Sequence, residues 1–484
     1  MAISGIGSGM DINGMVKALV GAESAPKTAQ LDRLEKASTS KVSALGQFRS
    51  ALSTFQTALG KLNDPALFEK RSATSSAADT VSISADAKAA AGNYSVQVFN
   101  LAQTSKVALA GYDNSSDALG SGTLSIKVGD EALDIELSNA SLTDVRDAIN
   151  AAGKDSGLSA TIVSDPNGEG GARLVLSSSQ SGSDHDISVA LSGDNLGELD
   201  RLAFTPPSAA DANFEPTPAG TDPREARVIS YSRDANLAID GIRLSSASNT
   251  IEDAIEGVTL TLKSAQSAEA LDKAETIKLG VNEDKGGVRK SITEFVDAYN
   301  AMLESVNKLT SVTPVGGDNS EPLAAALVGD SSVRAFMSAI RGEMSSSSSN
   351  EGVRMLSDLG ISTQRDGTLA VDNTKLNKAL DNNFDQVNSL FTGKDGLMAR
   401  MDSKVSPYTD KGGVLDSRTK ALQNTITTVD EQRESHAARI SKLESRLFAQ
   451  FNAMDMLVSN MNSTSSFLTA QLDSLPGVVK QNKR

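Results

Sequence analysis

The sequence predicts an α+β multidomain chain: a coiled-coil or helical-bundle domain built from both chain ends, with nested antiparallel β-rich domains inserted in the middle. Three observations predict it. Apolar residues recur at heptad spacing near both ends, the middle alternates apolar and polar at period two, and one local pattern occurs twice within that middle. With 484 residues, 39% of them hydrophobic and 22% charged, the chain is long enough for several domains and too apolar to stay unfolded. Aromatic residues make up only 4% and tryptophan is absent, so the cores must be built mainly from Ala, Val, Ile and Leu.

At the N-terminal end, Leu31, Ser38, Leu45, Leu52 and Leu59 fall seven apart, and Leu34, Lys41, Phe48, Phe55 and Leu62 interleave three residues later. Eight of these ten positions are apolar, the pattern of a coiled-coil or bundle seam. A shorter apolar pattern (Ile12, Met15, Val16, Leu19, Val20) precedes it, with Asp11 as its N-cap and Pro26 as the break between the two. Asp64-Pro65 stops the helix, because proline disfavours helical geometry in the residue before it.

The C-terminal end repeats the design. One series is Ile426, Arg433, Ile440, Leu447, Met454, Met461 and Leu468; the other is Leu422, Val429, His436, Leu443, Gln450, Leu457 and Thr464. Pro476-Gly477 ends the run. Packing within one chain would account for either seam. Two long seams at opposite ends most simply pair with each other and present a leftover apolar edge to neighbouring copies.

From about residue 74 the period becomes two. Val81–Ser84, Tyr94–Val98, Leu124–Val128 and Leu133–Leu137 alternate as antiparallel strands with one solvated face. Leu124 to Leu137, followed by Ser141-Leu142-Thr143-Asp144-Val145, reads as a hairpin, an N-cap with an acid three residues on, and a short helix. Leu237 to Leu244, followed by Asn249 through Ile255, reads the same way, and a strand follows each copy (Ala160–Val163 and Val258–Leu262). The proline-rich stretch Thr205–Pro223 is expected to be the linker that returns from an inserted domain. Helices resume at Val288, with an apolar stripe from Ile292 to Leu309. Two more are expected over Leu323–Met344 and Leu376–Phe391, separated by the Ser345–Ser349 run and a hairpin-like Thr363–Val371.

The residues suggest no enzyme. There is no cysteine, which removes disulfides, thiolate metal sites and a cysteine nucleophile. Gly5-Ile6-Gly7-Ser8-Gly9 has no preceding strand and no following Gly-Lys-Ser/Thr, so a flexible leader is expected rather than a phosphate loop. In Ser38-Thr39-Ser40-Lys41 both outer residues are seam positions. Asp184-His185-Asp186 lacks a nucleophile elbow and is expected to be a surface turn. Asp165-Pro166-Asn167-Gly168-Glu169-Gly170 lacks the spacing of a calcium loop. His436 lies on the seam, where a packed histidine is expected. No cofactor or metal is expected. The net charge of −15, with no basic patch, speaks against nucleic acid. No apolar run approaches the roughly 20 residues of a bilayer span, and the first residues lack the features of a secretory signal.

Several stretches, in order along the chain, resemble the flagellar hook-associated protein 2 family (FliD), the filament caps. They are Ser4-Gly5-Ile6-Gly7-Ser8-Gly9-Met10-Asp11 with Val16 to Leu19, then Gly92–Val98, Leu101-Ala102-Gln103 and Asp240-Gly241, then Phe295–Asn300, and finally Leu359-Gly360-Ile361 through Asp366–Leu369 to Leu376. The short helices of the repeat resemble a motif shared with other flagellar axial proteins.

The resemblance implies a ring-shaped homo-oligomer at the distal tip of the flagellum, outside the cell. It would promote ordered insertion of exported flagellin and prevent its leakage. It also implies passage, unfolded, through the flagellar type III export apparatus, with a dedicated chaperone on the C-terminal helical region (roughly Leu443 to Leu475), and adhesion to mucin in some members. The expected division is 1–36 with 450–484 as a terminal coiled-coil leg region and 37–73 with 283–449 as a helical bundle. Residues 74–106 with 228–282 would form a β-rich domain, and 107–227 an inserted, variable β-rich domain. The expected assembly seam comprises Leu31, Leu34, Leu45, Phe48, Leu52, Phe55, Leu59, Leu62, Leu422, Ile426, Val429, Ile440, Leu443, Leu447, Met454, Leu457, Met461 and Leu468. A secreted adhesin-like protein, or a filament or hook-junction subunit, would be the alternatives.

Overall fold

The computed structural model describes residues 11–165, 169–207, 224–313, 323–347 and 352–474. The glycine-rich leader, residues 166–168, most of the proline-rich stretch, part of the serine run and Pro476-Gly477 lie outside the described residues. The chain divides into two compact units, Met1–Leu67 with Gly286–Arg484, and Phe68–Lys285.

Helix α1 (Ile12–Leu62) begins at Asp11, whose carboxylate accepts from the Gly14 N–H at 2.9 Å. After it, α2 (Pro65–Glu69) carries proline at its first position, where no N–H is needed. The break expected at Pro26 does not occur: α1 runs straight through it. Lys27 and Glu23, on either side of the proline, are both tied to the last helix of the chain. Ala22, whose carbonyl loses its helical donor, is exposed, so water can take that bond.

The inner unit comprises β1 (Arg71–Ser75), β2 (Val81–Ala85), β3 (Gly92–Asn100), β4 (Thr104–Tyr112), β5 (Ala118–Val128), β6 (Glu131–Ser141), α3 (Leu142–Ala152), β7 (Leu158–Ser164) and β8 (Ala172–Ser181). It continues with β9 (Ile187–Asn195), β10 (Arg227–Ser230), β11 (Ala235–Ile239), β12 (Ile242–Ser246), β13 (Thr250–Ile255), β14 (Val258–Leu262), α4 (Ala268–Asp272) and β15 (Ile277–Glu283). The sheet β1-β15-β3-β11-β12 and the sheet β13-β14-β2 enclose one core, with Val96, Val98, Leu237, Leu260 and Leu279 buried between them. The sheets β10-β4-β8-β7 and β6-β5-β9, with α3, enclose a second core around Leu124, Ile126, Leu142, Ile149, Leu174 and Leu176. The chain passes between the two cores at Gln103 and Arg233, which pair as an antiparallel bridge.

The two copies of the repeat differ. In the first, Ser141 and Asp144 form a reciprocal capping box that starts α3. In the second, the expected helix is strand β13, paired with β14. The reason is local competition for the cap. Asn249 Oδ1 accepts from the Ala102 N–H at 2.8 Å and its Nδ2 donates to the Ala102 carbonyl at 2.9 Å, so its side chain is not free to start a helix. Gly257, at φ +71°, then closes the hairpin.

The outer unit resumes with α5 (Lys285–Thr310), a short ribbon of β16 (Val312–Thr313) with β17 (Leu323–Ala324), and α6 (Ser331–Ser345). Hairpin β18 (Ile361–Thr363) with β19 (Leu369–Val371) follows, then α7 (Asn373–Asn382), α8 (Phe384–Phe391), α9 (Leu397–Thr409) and α10 (Val414–Asp473). Two expectations are corrected here. The helix expected from Leu323 starts only at Ser331, where Asp330 caps it by accepting from the Ser332 and Val333 N–H groups. The helix expected over Leu376–Phe391 is two, parted at Asn383. The α5 stripe is buried throughout, from Val288 to Leu309.

Candidate assembly surface

Within the outer unit α1 and α10 run antiparallel. Arg433 on α10 bridges Asp32 and Glu35 of α1. Lys27 Nζ donates to Gln432 Oε1 at 3.4 Å, and Arg439 meets Glu23 at 3.5 Å. Bonding to Asp32 first, and to Glu35 second, raises the Arg433 pKa above its ordinary value. Arg433 interrupts the apolar series of α10, and its partner Asp32 lies 401 residues away along the chain.

The expected seam divides into three zones. In the C-terminal half of α1, Leu45, Phe48, Leu52, Phe55, Leu59 and Leu62 are buried, because α9 packs along the helix and aromatic rings of α5 and α6 reach it. Phe48 packs edge-on against Phe336 at 5.6 Å, and Phe55 lies against Phe295 at 5.9 Å and Tyr299 at 6.1 Å. Polar ties flank these rings: Gln56 Nε2 donates to Asp402 Oδ1 at 2.8 Å, and Arg49 to the Thr409 carbonyl at 2.8 Å.

In the second zone α1 has one main partner. Leu31 and Ser38 stay buried while Leu34 is 44% exposed, since a two-helix pair covers a narrower stripe than a bundle. On α10, Val429 is buried, and Leu422, Ile426, Ile440, Leu443 and Leu447 are half-buried. His436 is half-buried too, and its Nε2 makes no hydrogen bond among the described residues.

The third zone is the end of α10. Counted on from the Glu23–Arg439 contact, the start of α1 falls opposite about residue 450. Beyond that point Met454, Leu457, Met461 and Leu468 are exposed, together with Met456, Phe467 and Leu472. Between Leu447 and Leu472 the only charged residue is Asp455. An apolar, almost charge-free helix face left uncovered is the mark of an interaction surface.

The candidates for chemistry are turn and packing residues. His185 Nδ1 lies 2.8 Å from the Ser183 carbonyl, Asp184 sits at φ +66°, and Asp186 Oδ1 accepts from the Ser232 N–H at 2.7 Å. His185 and His436 belong to different units. Among the described residues no three His, Asp or Glu side chains could hold a metal ion, and no described helix is long and apolar enough to cross a membrane.

Residues 8–105 and 232–463 match the family models for the N-terminus and the C-terminus of flagellar hook-associated protein 2, and residues 122–180 match the flagellin hook IN motif. The chain is 42% identical to the A-type flagellar hook-associated protein 2 of Pseudomonas aeruginosa, over 99% of each chain. The chain belongs to the flagellar hook-associated protein 2 family. It is also 30% identical to the flagellar hook-associated protein 2 of Escherichia coli K12, over 97% of each chain. The crystal structure of the flagellar cap protein FliD domains D1-D2-D3 from Escherichia coli matches with a TM-score of 0.57 at 27% identity, covering 78% of this chain and 99% of that one. The hook IN match contains the first copy of the repeat, the one that keeps its capped helix. In this flagellar hook-associated protein 2 family member, helices and antiparallel sheets are carried by one chain whose two ends belong to the same unit.

Proposed function

We propose that this chain caps the distal tip of the flagellar filament, where a ring of its copies promotes ordered insertion of exported flagellin and keeps it from leaking away. The observation that carries the reading is the uncovered face of α10, where Leu457 is 63% and Leu468 55% exposed. A helix that packs one side of its first half against α1 and leaves its second half open to other helices suits a leg resting on a growing filament. On this reading 1–36 with 450–484 act as the leg region, 37–73 with 283–449 as the supporting bundle, and the β-rich regions 74–106 with 228–282 and 107–227 close the tip. The seam residues named above hold the leg together at one end and meet flagellin or neighbouring copies at the other. Export by the flagellar type III apparatus, with a chaperone on Leu443 to Leu475, fits the same face, because an apolar stripe needs cover before assembly. Free energy from packing each new flagellin subunit would be the only driving force required.

A strain lacking the gene tests the reading. Complementation with the natural chain is expected to restore full-length filaments and stop release of monomeric flagellin into the medium. The double variant Leu457→Glu, Leu468→Glu is expected to restore neither. Full filaments without leakage in the uncomplemented strain would overturn it.

A further inference from the structure

Methionine is the only sulfur-bearing residue type in this chain: 12 methionines and no cysteine. Met302, Met337, Met398 and Met401 are buried in the helical unit, whereas Met454, Met456 and Met461 are 41%, 64% and 72% exposed. No other described methionine is exposed. All three lie within about 10 Å of helix axis in the uncovered end of α10, Met454 and Met461 on one side of the helix and Met456 on the other, and Asp455 is the only charge between Leu447 and Leu472. That end of the helix therefore offers a partner almost no charge, unlike the paired stretch of α1 and α10, which has Arg433 between Asp32 and Glu35.

We infer that Met454, Met456 and Met461 make the open end of α10 a peroxide-sensitive segment whose oxidation switches off assembly through α10. The inference rests on the reading of that face as an assembly surface. A thioether lone pair attacks one oxygen of hydrogen peroxide, a sulfur–oxygen bond forms and the oxygen–oxygen bond breaks. The hydroxide that leaves takes the proton from the oxygen on sulfur, giving one sulfoxide and one water. Sulfur is oxidised by two electrons and peroxide reduced by two. Each sulfoxide places a strong acceptor where an apolar thioether stood, and that acceptor must give up its water when the surface is covered. A covered stripe is shielded from peroxide, so oxidation marks unassembled chains. The fold is unaffected, since the buried methionines are out of reach.

The full chain treated with increasing hydrogen peroxide, followed by peptide mapping by mass, tests the first half. Met454, Met456 and Met461 are expected to convert at least tenfold faster than Met302, Met337, Met398 and Met401; equal rates in the folded chain would overturn the inference. Sedimentation tests the second half. Oxidised chain is expected to lose self-association at least tenfold with unchanged helicity, and the variant Met454→Leu, Met456→Leu, Met461→Leu to associate normally and ignore peroxide. Selective oxidation with unchanged association would overturn the switch. Failure of untreated chain to associate at any concentration would overturn the switch together with the assembly reading, and is told apart from the previous outcome because oxidation plays no part in it.

Discussion

Asn300, on α5, acts as a strand partner for the edge of the β18–β19 hairpin. Its Nδ2 donates to the Leu369 carbonyl at 2.9 Å, and its Oδ1 accepts from the Leu369 N–H at 2.7 Å. Leu369 is buried, so Asn300→Ala strands two backbone groups away from water. A loss of about 2–3 kcal/mol is expected, read from urea unfolding; a loss under half of that would show that water replaces both bonds. Asp330 serves two elements at once. It caps α6 and binds Arg418 of α10 through both oxygens, at 2.9 and 2.5 Å. The bond from Arg418 is the main cause that lowers its pKa below the ordinary 3.8, with burial acting against it. A carboxyl lowered on folding stabilises the folded state fully above its ordinary value and loses that stabilisation as the pH falls through the folded value. Asp330→Asn is therefore expected to cost about 1–2 kcal/mol at pH 7, allowing for a partly exposed pair. The gap to the natural chain should close once the pH drops well below 3.8. A gap independent of pH would remove the carboxylate from the account.

Among the elements, what the sequence made legible was whatever its own neighbours decide. The two heptad series, the Asp11 cap, the α5 stripe and the capping box of α3 depend on residues within a turn or two, and each is where the spacing placed it. Pro26 and Asn249 depart from the local reading because their surroundings come from afar: Glu23 and Lys27, beside the proline, are bonded to α10, and Ala102, 147 residues before Asn249, occupies the would-be cap. The three zones of the seam were illegible for a similar reason. Identical heptads become core, half-buried pair or open surface according to how many helices surround them. That difference yields a test. Leu52→Ala, in the first zone, is expected to cost about 2–5 kcal/mol. Leu457→Glu, in the third, should change unfolding by less than about 0.5 kcal/mol while weakening self-association in sedimentation. Comparable losses of stability at both sites would mean that the third zone is covered within a single chain.

At the level of the whole chain, the same device appears twice. The inner unit is entered by β1 and left by β15, which pair from Arg71↔Glu283 to Ser75↔Leu279. Its second core is reached and left through Gln103 and Arg233, joined by a bridge with N–H to carbonyl contacts of 2.9 and 3.2 Å. Paired strand residues sit about 5 Å apart, so two glycines can replace everything between Gln103 and Arg233. A chain so shortened is expected to keep the first core, with β11 still paired to β3. The protected amides of β3 and β15 in hydrogen exchange would check this. Their loss would show that contacts such as Ser181 Oγ to the Ala247 carbonyl, at 2.6 Å, are required for the first core to fold.

The salt bridges between α1 and α10 span more than 400 residues, a distance over which an unfolded chain closes slowly and at an entropic cost. The β1–β15 pairing changes that cost. Once the inner unit has formed, the ends it presents to the helices are neighbours, and the loop left to close is only a fraction of the original length. Folding then proceeds like closing parentheses from the innermost pair outward, and α1 and α10, the helices that lie farthest apart along the chain, are the last to pair.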